Sequence, residues 1–89
     1  NIDVNIPNND FKTPLHIAVE EQNHNMLQLL LSVKADCNIK DVYGNTPLHI
    51  AWKSGQQDIV EKLLGHGADK YIRNNVGLTP AEWSEQIDI

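Results

Sequence analysis

The chain has 89 residues, 40% of them hydrophobic and 21% charged, with a formal net charge of −5 at pH 7. Because a nucleic-acid binder carries a basic patch or stripe, this acidic balance argues against that class of partner. No apolar run approaches the roughly 18 residues of a membrane span, and a single cysteine, Cys37, fits a reducing compartment, so we expect an intracellular protein, in the cytoplasm or the nucleus.

A four-residue motif recurs along the chain at a fixed spacing. Thr-Pro-Leu-His occupies residues 13–16 and again 46–49, and a degenerate copy, Thr-Pro-Ala-Glu, occupies residues 79–82. Each copy follows the previous one after 33 residues, without insertion. A period of this length predicts a solenoid in which one small unit stacks on its copies, because such a unit cannot bury its apolar face alone.

Each Thr-Pro pair predicts the start of a first helix. The threonine hydroxyl can accept a hydrogen bond from a free backbone N–H of the first turn, and proline at the first helical position removes an N–H that has no partner there. We expect these helices at residues 14–21 and 47–54. In the third copy Glu82 stands three residues after Thr79, which completes the pattern of a capping box.

A second helix follows in each of the first two copies. Apolar pairs recur four residues apart, at 26–27 and 30–31 and again at 59–60 and 63–64, which predicts that they share one buried face. In the second copy, glycines suit the turn between the helices and the end of the second helix.

The first copy departs from the second at three turn positions where the second has glycine. The residues there are Phe11, Gln22 and Lys34. Because a left-handed conformation costs a non-glycine residue on the order of 1 kcal/mol, we expect the first copy to be the looser one. Phe11 also leaves the type of its turn open.

The string Thr-Pro-Leu-His-x-Ala, followed by Leu-Leu-x-x-Gly-Ala-Asp, resembles the ankyrin repeat, and the resemblance covers essentially the whole chain. It implies an all-α solenoid of stacked helix-turn-helix units with β-hairpin-like fingers. The implied single domain, 1–89, comprises the tail of a preceding repeat at 1–7, one repeat at 8–40, a second at 41–73 and the start of a truncated third at 74–89. Since the chain starts and stops within a repeat, we expect an excised segment flanked by further repeats.

Four histidines and one cysteine raise the question of a catalytic or metal site. His16 and His49 stand a whole repeat apart, whereas zinc ligands lie about 2 Å from a shared point. The resemblance implies instead that each histidine bonds an adjoining loop. We find no phosphate-binding loop, no nucleophile with a base and no zinc signature, and we predict no enzyme, no metal and no cofactor. Cys37 is interpreted as a small apolar side chain rather than a reactive thiol.

Asn38 has two interpretations. Leu30, five residues and then Asp36-Cys37-Asn38 resemble the finger sequence that an oxygen-sensing asparaginyl hydroxylase modifies in many ankyrin domains. The alternative, which we favour, is that Asn38 makes hydrogen bonds within its turn.

The resemblance also implies a binding surface, because ankyrin repeats contact partner proteins through fingertips and first helices on a concave face. We therefore predict a protein–protein interaction module; the alternative is a regulatory or targeting segment of a larger enzyme or channel whose chemistry lies elsewhere. Tyr43 is the expected anchor, whereas Trp52 could instead fill the groove between repeats. The predicted contact residues are Asn9, Asp10, Lys12, Glu20, Glu21, Val42, Tyr43, Asn45, Trp52, Lys53, Ser54, Asn75, Val76 and Leu78.

Overall fold

The computed structural model describes residues 4–86, and every regular element in that range is an α-helix. The helices are α1 (Pro14–Glu20), α2 (His24–Ser32), α3 (Pro47–Lys53), α4 (Gln57–Gly65) and α5 (Pro80–Ser84). The predicted all-α fold is therefore confirmed. The first three residues of the tail predicted at 1–7 and the last three of the segment predicted at 74–89 lie outside the described residues.

The first helices α1, α3 and α5 begin with the predicted threonine caps. At α1 the Thr13 hydroxyl accepts from the His16 N–H at 3.4 Å, and His16 Nδ1 accepts from the Thr13 N–H at 3.1 Å. The other two helices repeat this reciprocal arrangement, with Glu82 in the place of the histidine at α5. α1 and α3 end one residue earlier than predicted, because Glu21 and Ser54 are the C-caps.

Helices α1 to α4 end in one common way. After α2, the Lys34 N–H donates to the Leu31 carbonyl at 3.1 Å and the Ala35 N–H donates to the Leu30 carbonyl at 3.0 Å. This pair of bonds is a Schellman motif, which requires a left-handed residue after the C-cap. Those residues are Gln22 (φ 55°), Lys34 (φ 62°), Gly55 (φ 72°) and Gly67 (φ 96°).

The core lies between the helices along the stack, which measures 43 × 27 × 21 Å. α1 packs on α2 and α3, and α3 packs on α4 and α5. Buried Ala18 and Ala51 let these helices approach closely. The largest apolar side chains with almost no exposure are Leu15, Leu27, Leu31, Leu48, Ile59 and Leu63.

One part of the predicted buried face is wrong. Leu63 has no exposure, but its neighbour Leu64 is 37% exposed, and Met26 is also exposed. Consecutive residues on an α-helix point about 100° apart because the helix has 3.6 residues per turn. This rotation does not by itself separate the members of a pair, because Leu30 and Leu31 are both buried, as are Ile59 and Val60. The exposure of Leu64 and Met26 therefore depends on what packs against each helix.

The fingers end in tight turns, and no strand forms among residues 4–86. At the second fingertip the Asp41 N–H donates to the Asn45 carbonyl at 2.9 Å, and the Asp41 carboxylate accepts from the Tyr43 and Asn45 N–H groups, each at 2.9 Å. Asn8 and Asn74 hold the first and third fingertips through the same bonds.

The first fingertip settles the turn type that the sequence left open. Phe11 has φ 59° and its counterpart Gly44 has φ 79°, so both are left-handed. The Phe11 N–H donates to the Asn8 carbonyl just as the Gly44 N–H donates to that of Asp41, both at 2.9 Å. The turn is the same in both fingers.

Candidate functional site

Three fingertips and the three first helices border an open groove of about 560 Å³. The second and third fingertips contribute Tyr43 and Val76, whose side chains are exposed, while α3 and α5 contribute the half-buried Ile50 and Trp83. The full lining comprises Lys12, Glu20, Asp41, Tyr43, Asn45, Ile50, Lys53, Ser54, Asn74, Asn75, Val76 and Trp83.

Hydrogen bonds between successive fingertips hold the edge of the groove that the fingertips form. The Val42 N–H donates to the Asp10 carbonyl at 3.0 Å, and the Asn75 N–H donates to the Tyr43 carbonyl at 3.0 Å. The Asn75 side-chain amide adds a donation to the Val42 carbonyl, also at 3.0 Å. Because these bonds join backbone to backbone, each fingertip is held in register with the next.

Gly44 allows the second and third fingertips to approach so closely. A Cβ atom at this position would lie 2.4 Å from Asn75 Oδ1 and 2.6 Å from the Asn75 backbone nitrogen. Such distances are shorter than any real contact, so a side chain here would push the third fingertip away.

Two buried histidines connect the first helices to the next finger. His16 Nε2 lies 2.9 Å from the Asn45 carbonyl oxygen, and His49 Nε2 lies 2.9 Å from that of Leu78. A carbonyl oxygen only accepts, so Nε2 carries the proton and Nδ1 is free to accept from the threonine cap. Burial lowers the pKa of both histidines. Their predicted structural role is confirmed.

Both lysines that line the groove are engaged within the chain. Lys12 Nζ lies 2.6 Å from Glu20 Oε2, and this hydrogen bond raises the pKa of Lys12. Lys53 Nζ donates to the carbonyl of Trp83, in the last turn of α5, at 3.1 Å and to that of Gln86, just beyond α5, at 3.2 Å. The same ammonium lies 5.2 Å from the centroid of the Trp83 ring, within the range of a cation–π contact. Lys53 therefore ties α3 to α5.

The structure brings part of the predicted contact set together in this groove. The predicted residues that line it are Lys12, Glu20, Tyr43, Asn45, Lys53, Ser54, Asn75 and Val76. Asn45 is only 6% exposed and its side-chain oxygen accepts from Asn74 Nδ2 at 2.9 Å, so it joins two fingers and offers little surface to a partner.

The other predicted residues do not line the groove. They are Asn9, Asp10, Glu21, Val42, Trp52 and Leu78. Trp52 is half-buried and packs against the core, which supports the alternative that it fills space between repeats.

Four lining residues were missed by sequence reasoning: Asp41, Ile50, Asn74 and Trp83. A signal for the two apolar residues was present. Ile50 and Trp83 are 33 residues apart, and Ile50 precedes the predicted Lys53 by three residues, the spacing of neighbours on one helix face.

Cys37 and Asn38 lie outside the groove lining. The Cys37 thiol is buried, and burial raises its pKa, which agrees with the predicted unreactive side chain. Asn38 Oδ1 accepts from the Asp69 N–H at 2.8 Å, and its amide donates to the Gly67 carbonyl at 3.1 Å. These side-chain bonds reach the next repeat instead of the turn of Asn38, while its backbone N–H donates within the turn to Asp36 Oδ1 at 2.9 Å. The structural role is therefore to join two repeats, and hydroxylation of Asn38 stays a prediction.

Two other kinds of feature, a metal site and a membrane span, are absent from residues 4–86. This part of the chain has no group of three or more His, Cys, Asp or Glu residues that could hold a metal ion. None of the helices described in this range has the length and apolar character needed to cross a membrane.

Comparison with known proteins identifies a family. A family model described as ankyrin repeats (3 copies) matches residues 1–74, well over half of the chain. A search of curated proteins found no match.

Proposed function

Because the chain belongs to the ankyrin-repeat family, we propose that it is a protein–protein interaction module that holds a segment of a partner protein in the groove between fingertips and first helices. Ankyrin repeats are in general protein-interaction modules. The observation that carries the proposal for this chain is the groove itself, which presents Tyr43 and Val76 to solvent beside Ile50 and Trp83. Aromatic and apolar groups in a concave surface are typical of binding sites.

Tyr43 is the residue best suited to anchor a partner. Its side chain is 66% exposed. The Tyr43 backbone N–H and carbonyl form hydrogen bonds, but its side-chain hydroxyl forms none with residues 4–86. An aromatic ring with a free hydroxyl offers both apolar area and a hydrogen bond, a combination that makes tyrosine frequent among the residues that dominate binding energy.

The frame around the groove supports the proposal in a second way. The fingertips are joined to one another, and each buried histidine joins a first helix to the next finger. A surface that is already ordered loses little conformational entropy when a partner binds, so more of the contact energy appears as affinity.

The remaining features of the proposal are the intracellular location and the absence of a nucleic-acid partner. They rest on the cysteine usage and on the net charge of −5. The proposal assigns no catalytic role and no cofactor to this segment.

The proposal is tested by affinity capture from a cell extract with the tagged wild-type chain, Tyr43→Ala and Tyr71→Ala, followed by quantitative mass spectrometry. Tyr71 is a matched control because it is 73% exposed and does not line the groove. We expect a partner that is recovered with wild type and Tyr71→Ala but is reduced more than about tenfold with Tyr43→Ala. Equal recovery of every protein with all three baits would exclude this groove as the binding site.

A further inference from the structure

The chemical character of the groove changes along the stack. The fingertip residues at one repeat position are Asp10, Tyr43 and Val76, each 33 residues after the last. Tyr43 and Val76 line the groove, and Asp10 holds the same position in the first finger, where its backbone carbonyl accepts from Val42. The row of fingertips is therefore apolar in the second and third repeats and acidic in the first.

The ends of the first helices show the same change. Glu21 and Ser54 are the C-caps of α1 and α3, and Ser54 lines the groove. Glu21, which is exposed but does not line the groove, holds the repeat position of Ser54 and lies next to Glu20, which does line it. The C-terminal end of a helix carries about half a negative charge, so the end of α1 adds to the negative potential there.

This negative charge exceeds the positive charge beside it. Lys12 is paired with Glu20 and its charge is also shared with Asp10 and Asp41, while Lys53 is directed to backbone carbonyls at the end of α5. Across residues 4–86 the ion pairs between side chains are Lys12–Glu20 and Arg73–Glu82. Asp10 and Glu21 take part in neither, and both are exposed.

We infer that the partner segment carries a large apolar side chain and a lysine or arginine about three residues away from it, on either side. This inference rests on the proposed function and specifies the chemistry of its partner. The apolar side chain lies against Tyr43, Val76 and Trp83, and the cation lies one repeat away, facing Asp10 and Glu21. Neighbouring helices pack about 8–10 Å apart, a distance that an extended peptide covers in about three residues at ~3.3 Å each.

The experiment is a selection of short random peptides displayed on phage against four immobilised chains. They are the wild type, Tyr43→Ala, the double variant Asp10→Asn with Glu21→Gln, and a control double variant, Asp58→Asn with Glu61→Gln. The control removes the same two charges from exposed positions of α4 that do not line the groove. The binding of the best wild-type peptide is then measured against all four chains at low and high salt.

We expect wild type and the α4 control to select peptides with an apolar side chain and a lysine or arginine at this spacing. The Asp10 and Glu21 variant should keep the apolar preference, lose the basic one and bind the best peptide about fivefold more weakly at low salt. High salt should shrink that difference, since exposed charges are screened within ~10 Å at 0.1 M.

Two failures have different meanings. If the selected peptides depend on Tyr43 but show no basic preference, or keep it against the Asp10 and Glu21 variant, the inference is wrong and the proposed groove stands. If no peptide is enriched, or none depends on Tyr43, the proposed function fails and the inference fails with it.

Discussion

The repeats predicted at 8–40 and 41–73 share one backbone geometry at their turns, but only the second has glycine there. In the first, Gln22 and Lys34 follow the helices with φ of 55° and 62°, and Phe11 has φ 59° at the fingertip. A left-handed conformation strains a residue with a Cβ atom. The surrounding hydrogen bonds therefore impose the conformation, and the residue tolerates it.

The first repeat has a favourable helix cap that the second repeat lacks. Asn23 caps α2 with its side chain, which accepts from the Met26 N–H at 3.1 Å. The counterpart at α4, Gln56, makes no such bond, and its side-chain oxygen is buried without a hydrogen-bond partner within the described residues. Stability is therefore distributed differently in two units of the same shape.

The largest expected effect concerns the core that the two repeats share. Leu63→Ala should destabilise the chain by about 2–5 kcal/mol, because it opens a cavity at a side chain with no exposure. Leu30→Ala, at the same position of the first repeat, should cost a similar amount. The adjacent Leu64→Ala is the control and should cost clearly less, since Leu64 is partly exposed. Urea titration measures all three, and equal losses for Leu63→Ala and Leu64→Ala would contradict the assignment of the buried face.

The second expectation concerns the fingertip glycine. Gly44→Ala should destabilise by more than about 1 kcal/mol, because the new Cβ is both left-handed and in collision with Asn75. Gly55→Ala introduces the first cost without the second, since nothing lies within 4 Å of its Cβ position. If urea titration finds the same loss of stability in both variants, the collision with Asn75 adds no measurable cost and the expectation is wrong.

The third expectation exchanges the residues that end the second helices. Lys34→Gly should stabilise by about 0.5–1 kcal/mol, because relief of the left-handed strain exceeds the entropy that glycine adds to the unfolded chain. Gly67→Lys should destabilise by a similar amount, since both positions occupy the same Schellman motif. Thermal unfolding measures both changes. A loss of stability in Lys34→Gly would show that the first repeat carries no strain at this position.

The last expectation concerns folding stability at acidic pH. The two buried histidines cost no stability at pH 7 but should lower it on acidification. Burial lowers the pKa of His16 and His49, so the unfolded state binds more protons than the folded state. Their contribution is complete above the unfolded pKa of about 6.5 and is lost as pH falls through that value towards the folded pKa. We expect the urea midpoint to fall between pH 7 and pH 5, and His49→Gln should reduce this fall. A midpoint that stays constant over this range would refute the buried neutral histidines.

The helix starts could be predicted from the sequence because their determinants are local. Thr13 and Pro14 set the cap and the first turn, and the structure has both. The error at Leu64 arose because the sequence pattern does not say whether one or both members of an adjacent apolar pair are covered; Leu31, at the same position of the first repeat, is buried. Only the neighbouring helices decide that.

Parts of the groove depend on contacts between repeats and could not be predicted in the same way. Asn45 is buried because Asn74 of the next finger bonds to it, 29 residues away. Lys53 is engaged because α5 ends beside it. Tyr43 was predicted correctly as exposed, since a fingertip residue projects from its turn whatever the next repeat contributes.

The central claim is that the residues that hold the fold and the residues that bind a partner are different. It is tested most directly by measuring stability and affinity together in Tyr43→Ala and Tyr71→Ala, with urea titration and with a partner recovered by capture. We predict that both variants lose less than about 0.5 kcal/mol of stability, and that only Tyr43→Ala binds more than about tenfold more weakly, or ~1.4 kcal/mol. Normal binding by a folded Tyr43→Ala, or unfolding of that variant, would contradict the claim.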